Sequence, residues 1–170
     1  SSCQETRLGI AFRRWDLKAD EEGRLHRGER EYLSTGEGKD AFRDVLLALA
    51  ISNGLYDACR VVILIDGTSW TTEICEKDFP FAIRILDLGH LREEVEKFSL
   101  QILKGKKNEK ARLQWTEEIM GKLEEGNWQE VLNLKEVSAF QDQAVNPSAG
   151  EVNLYRYIND HKDFMDYPAY

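Results

Sequence analysis

Residues 61–67 read VVILIDG: five aliphatic side chains running straight into a carboxylate and then a glycine. A continuous apolar run of this length suits a strand buried on both faces, the central kind found in parallel sheets. In open α/β sheets, ligands and catalytic groups gather at the carboxyl ends of the strands. Asp66 occupies that end. Gly67 lets the backbone leave sharply and leaves room for a ligand beside the carboxylate. A carboxylate so placed can hold a hard cation such as Mg²⁺, or it can merely cap the helix that follows.

The flanking segments fit an α/β pattern. RLGIAF (7–12) is a short β-prone run, and Tyr32 and Leu33 mark a second strand, so residues 7–35 read as a long-armed hairpin. In residues 39–54, Phe42, Val45, Leu46 and Leu49 recur at helical spacing and Gly54 follows as a stop. TSWTTEICEKDF (68–79) predicts a short helix capped by Thr68 or Ser69, and FAIRILD (81–87) a further strand ending in Asp87. A crossover of this length makes the two strands parallel and puts Asp66 and Asp87 at one edge. His90, three residues after Asp87, falls on the same face of a helix start. The plainer reading is that Asp87 caps that helix and His90 packs against it.

From residue 88 the texture becomes helical. Leu91, Val95, Phe98 and Ile102 share one face, then Ala111, Trp115, Ile119 and Leu123, then Trp128, Val131, Leu132 and Val137, then Val152, Tyr155 and Ile158. These predict four amphipathic helices, with Trp115 and Trp128 as core anchors. At the first joint sits the densest basic run, Lys104, Lys106, Lys107, Lys110 and Arg112. It reads either as phosphate contact with DNA or as an ordinary solvated connector.

Composition narrows the class. At 42% hydrophobic and 32% charged, the 170 residues are those of a globular domain, and the net charge of -8 argues against nucleic-acid binding over the whole surface. Cys3, Cys59 and Cys75 lack metal-ligand spacing and read as free thiols of a cytoplasmic protein. No run approaches a membrane span, and the polar start carries no signal peptide. With no initiator Met ahead of its first strand-like run, the chain reads as a piece of a longer one.

Familiar motifs are absent. A haloacid-dehalogenase phosphatase carries a second Asp where Thr68 stands, and STGEGKD (34–40) lacks the spacing of a phosphate-binding loop. Neither the acidic pair of a receiver domain nor a Ser-His-Asp or Cys-His order is recognisable. Taken in order, VVILIDGTSW, DFPFAIRILD, DLGH and the closing LYRYINDHKDFMDYPAY resemble the bacterial insertion-sequence DDE transposases. That resemblance implies an α/β fold with a truncated RNase H-like mixed sheet over residues 1–90. It implies an all-helical insertion over 91–150, and over 151–170 a helix leading toward a catalytic Glu. Asp66 would be the second acidic residue of the catalytic triad and a ligand of Mg²⁺ or Mn²⁺, with Asp87 and His90 as support. The first Asp and the Glu would lie outside residues 1–170, since Asp16 is a poor substitute for the first. The implied activity is metal-dependent cleavage and transfer of DNA strands. DNA is the implied partner, a homo-oligomer remains open, and a chain holding one triad carboxylate would be inactive alone. A degenerate, transposase-derived interaction module and a small Mg²⁺-dependent phosphatase using Asp66 are the alternatives.

Overall fold

The computed structural model describes residues 7–11, 17–20, 22, 25–27, 31–35 and 38–169, with backbone pairing alone for the strands before residue 38. Cys3 and Asp16 lie outside the described residues. The chain divides into two compact units, Ser1–Val61 with Glu73–Ala82, and Val62–Thr72 with Ile83–Tyr170.

In the first unit, β1 (Arg7–Ala11) pairs antiparallel with β4 (Glu31–Thr35), Arg7 opposite Thr35. Between them in sequence, β2 (Leu17–Ala19) pairs antiparallel with β3 (Leu25–Arg27). This is the long-armed hairpin that the sequence predicts. Helix α1 (Lys39–Ser52) follows and stops as expected, with Gly54 in the left-handed region at φ 83°. Its buried stripe is narrower than the spacing predicts: Phe42 is buried, but Val45 is 46% exposed on the flank. The later turns of α2 (Ser69–Asp78) supply Ile74 and Cys75 to this core, joined by Phe79 and Leu55. Charge fixes the register of the two helices. The Arg43 guanidinium donates to both oxygens of Asp78 at 2.8 and 2.7 Å, a fork geometry that a lysine cannot reproduce. Glu73 takes Lys39 and Lys77, whose hydrogen bonds hold its carboxyl down at about 2.

In the second unit, β5 (Val62–Ile65) and β6 (Ile83–Leu86) are parallel, with Ile65 opposite Leu86, and α2 connects them in sequence. The expectation of a strand buried on both faces is not met. Ile65 is 1% exposed, whereas Val62 and Leu64, on the other face, are 45% and 57% exposed. Among the described residues β5 pairs with β6 alone, and the strands form three separate two-stranded sheets in place of one mixed sheet. An apolar run reports hydrophobicity, not how many faces find a cover.

The helical block comprises α3 (Leu88–Ile102), α4 (Glu109–Glu124), α5 (Trp128–Leu132), α6 (Lys135–Ser138) and α7 (Leu154–His161). It begins at Leu88, so the predicted boundary at residue 90 falls inside α3. The third predicted helix is two, broken where Leu134 takes an extended conformation (ψ 134°) and starts α6. Leu91, Val95, Phe98, Ile119, Leu123, Val131, Val137 and Ile158 are buried as their spacing predicts, while Ala111 is exposed. Phe98 is the hub: its ring centroid lies 5.9 Å from that of Trp115 and 5.0 Å, edge-on, from that of Phe140. Trp115 also donates its indole N–H to Glu136 at 3.1 Å, which links α4 to α6. Trp128 is half-buried, with the Lys162 ammonium 5.5 Å from its ring centroid. Among the described residues, no helix is long and apolar enough to cross a membrane. Phe98→Ala is expected to cost about 3–5 kcal/mol of unfolding free energy, measured by denaturant titration; a loss under about 1 kcal/mol would show that the site collapses around the cavity.

Candidate functional site at the carboxyl edge of the parallel pair

The register that sets Ile65 opposite Leu86 brings the next residue of each strand, Asp66 and Asp87, to one edge. The Asp87 amide donates to the Ile65 carbonyl at 2.8 Å, carrying the pairing one step past β6. The predicted placement of the two carboxylates is therefore what the backbone produces.

Their side chains are engaged locally. Asp66 Oδ1 accepts from the Thr68 amide at 3.0 Å, the Thr68 hydroxyl at 2.7 Å and the Thr71 hydroxyl at 3.0 Å. Asp66, two residues ahead of Thr68, thus ties down the start of α2. Asp66 Oδ2 accepts no hydrogen bond among the described residues. Burial alone would raise the Asp66 carboxyl; the three hydrogen bonds, with His90 nearby, outweigh it and hold the group below its usual range. Asp87 is the N-cap of α3, its Oδ1 accepting from the His90 amide at 3.1 Å. His90 meets Asp87 through its backbone, and its side chain is exposed instead of packed. Helix capping accounts for what both aspartates do in the structure.

Gly67 has φ 80°, a region that favours glycine. The room beside it is not left for a ligand. A Cβ there would meet His161 Nε2 at 2.9 Å and the Tyr157 hydroxyl at 3.2 Å. These two residues, four apart on α7, fill the space. His161 Nε2 lies 2.9 Å from the Gly67 carbonyl oxygen and Nδ1 2.7 Å from that of Tyr157. Carbonyl oxygens only accept, so the ring satisfies both only when each nitrogen carries a hydrogen. Burial, reinforced by Glu94, Asp66 and Asp87, pushes the Tyr157 phenol up, so it stays protonated. Tyr167 donates its hydroxyl to the Leu86 carbonyl at 3.0 Å. In the sequence reading, residues 154–170 supply Tyr155 and Ile158 to an amphipathic helix and the closing segment of the family resemblance, and neither reading singles out Tyr157, His161 or Tyr167. The i, i+4 spacing of Tyr157 and His161 was the signal available for finding them.

The described residues do not by themselves gather the donors of a two-metal centre. Among the described residues no three His, Cys, Asp or Glu side chains gather, and one oxygen each of Asp66 and Asp87 is committed to a helix start. No chemical step through a metal is derived from these residues. The basic run divides. Lys104, Lys106, Lys107 and Lys110 are exposed and make no ion pair among the described residues. Arg112 is engaged within the chain: its Nη1 donates to the Leu103 and Gly105 carbonyls at 2.9 Å each, which staples the α3–α4 turn. Among the described residues, exposed Cys59 and buried Cys75 form no disulfide. Compared with protein-family models, curated proteins and solved structures, the chain matches none.

The depressed Asp66 carboxyl fixes the sign of a pH effect. A carboxyl lower in the folded than in the unfolded chain contributes stability above its unfolded value, and that contribution is lost as pH falls through the folded one. Wild type should therefore lose stability relative to Asp66→Asn between about pH 5 and pH 2, read from urea unfolding at each pH. A constant difference across that range would mean that Asp66 titrates alike in both states.

Proposed function

We propose that this chain is part of the catalytic core of a DDE transposase with an RNase H-like fold. The observation that carries this reading is the edge itself. Two strand-end carboxylates, Asp66 and Asp87, share the carboxyl side of a parallel pair, and a helical block follows directly in sequence. Order supports it as well: antiparallel hairpin, helix, strand, helix, strand, then helices. The exposed Val62–Leu64 face and the single pairing of β5 suit a sheet that continues. In this reading the first Asp and the Glu come from sequence outside residues 1–170. Asp66 would offer Oδ2 to an Mg²⁺ or Mn²⁺ whose other ligands come from those outside carboxylates, and such an ion would activate the attacking oxygen and stabilise the leaving one. Lys104, Lys106, Lys107 and Lys110 contact phosphates.

One observation favours a second reading. The committed oxygens of Asp66 and Asp87, with no metal-holding group of three side chains among the described residues, suit an interaction module that keeps the fold without the chemistry.

A polypeptide extended on both sides of residues 1–170 should nick plasmid bearing the element's ends in Mg²⁺ or Mn²⁺. Asp66→Asn should lower that rate at least about 100-fold, and residues 1–170 alone should give no product. Cleavage by the extended chain that survives Asp66→Asn would sink the assignment, and absence of cleavage at any length would favour the interaction module. Exchanging Lys104, Lys106, Lys107 and Lys110 for Gln should weaken DNA retention and flatten its salt dependence by about 0.9 log units per lost phosphate contact. Unchanged retention would return the run to the class of solvated connectors.

A further inference from the structure

We propose that His161 and Tyr167 are positioning residues: a two-point latch through which the helical block holds the Asp66–Asp87 edge. The latch grips backbone, not carboxylate. His161 Nε2 lies 2.9 Å from the carbonyl oxygen of Gly67, the residue after Asp66. Tyr167 donates at 3.0 Å to the carbonyl of Leu86, the residue before Asp87. Each strand end therefore meets one side chain from a single segment, residues 154–169: Tyr167 as a donor, and His161 as a donor when its Nε2 carries the hydrogen.

That segment is itself immobilised in the helical core. Leu154, Ile158 and Met165 are fully buried, and Met165 lies between the two latch residues in sequence. Asn153, just before α7, donates its amide to the Phe140 and Gln143 carbonyls at 2.7 and 2.9 Å, and its Oδ1 accepts from the Arg156 amide at 3.0 Å. The Arg84 guanidinium of β6 sits 4.6 Å from the centroid of the Phe164 ring, a third tie between the segment and the strands. Both ends of the latch are thus fixed, one in the helices and one in the sheet.

The Gly67 carbonyl shares a peptide group with the Thr68 amide that holds Asp66 Oδ1, and the Leu86 carbonyl shares one with the Asp87 amide, which donates to the Ile65 carbonyl at 2.8 Å. His90, whose amide holds Asp87 Oδ1, lies in the first turn of the helix that Asp87 caps. Releasing the Gly67 carbonyl frees a turn that is otherwise held by Asp66 alone, and releasing the Leu86 carbonyl frees the step into α3. The helices then set the geometry of the edge, without any of their side chains bonding to a carboxylate oxygen.

The test uses residues 1–170 without DNA or metal, so its failure is separate from failure of the transposase reading. Native-state hydrogen exchange is followed by NMR in wild type, His161→Phe, Tyr167→Phe and His161→Gln. Each Phe variant keeps a ring and removes a donor; the Gln amide can still donate. The Thr68 amide should exchange about tenfold faster in His161→Phe, and the His90 amide about tenfold faster in Tyr167→Phe. Met120 and Leu123, in the core of α4, should keep their protection in both, and His161→Gln should restore part of the protection at Thr68. Uniform acceleration across Thr68, His90, Met120 and Leu123 would reduce both residues to ordinary core packing and overturn the proposal. So would unchanged exchange at Thr68 and His90.

Discussion

Three donors converge on a single oxygen, Asp66 Oδ1, where β5 gives way to α2. A helix start leaves amide donors without intrahelical partners, and a buried amide left unpaired is costly. Asp66 takes the Thr68 amide, just ahead of the helix, together with the Thr68 and Thr71 hydroxyls. Because Asp66 is also the first residue past the strand, the same carboxylate that starts the helix marks the edge of the sheet. The sharp departure at Gly67, the approach of α7 and the position of Asp87 all follow from a chain that turns at this point.

The helical block has a different basis. Its core is built on Phe98, with Trp115 and Phe140 around it and the fully buried Leu91, Val95, Ile119, Leu123 and Ile158 filling the faces. Apolar burial is non-directional, so it gathers helices without dictating what their far ends touch. Direction comes from the few polar contacts. Arg112 closes the α3–α4 turn on two carbonyls. Asn153 closes the approach to α7 on two more. Both side chains satisfy backbone oxygens that the loops leave open.

The exposed lysines at 104, 106, 107 and 110 stand apart from this economy. The chain's other lysines and arginines that do enter ion pairs, such as Arg43, Arg92, Lys97 and Lys122, meet carboxylates at 2.6–2.9 Å. In a chain of net charge -8, four neighbouring cations with no such partner among the described residues make a local concentration of positive charge. That charge is available for a polyanion, while the acidic remainder opposes contact over a larger area.

The local pattern of residues was enough to place the elements. Val62–Ile65 is a strand, Arg7–Ala11 pairs antiparallel with Glu31–Thr35, α1 ends just ahead of Gly54, and α3 buries Leu91, Val95 and Phe98. Such features depend on neighbours within about four residues along the chain, so they are written in the order of the side chains. The shared edge of Asp66 and Asp87 is nearly as local, because a short crossover leaves a parallel pair as the natural arrangement. Tertiary structure decided the rest. The space at Gly67 is filled by His161, 94 positions away. The Leu86 carbonyl is met by Tyr167, 81 positions away. Val62 and Leu64 stay largely exposed although they belong to the most apolar run of the chain. Arg112, one more cation in a basic run by sequence, turns inward because the α3–α4 turn leaves two carbonyls within its reach. Periodicity records which face of an element is apolar. It holds no record of which distant residue will arrive there, since that is set by how separate elements pack once each has formed.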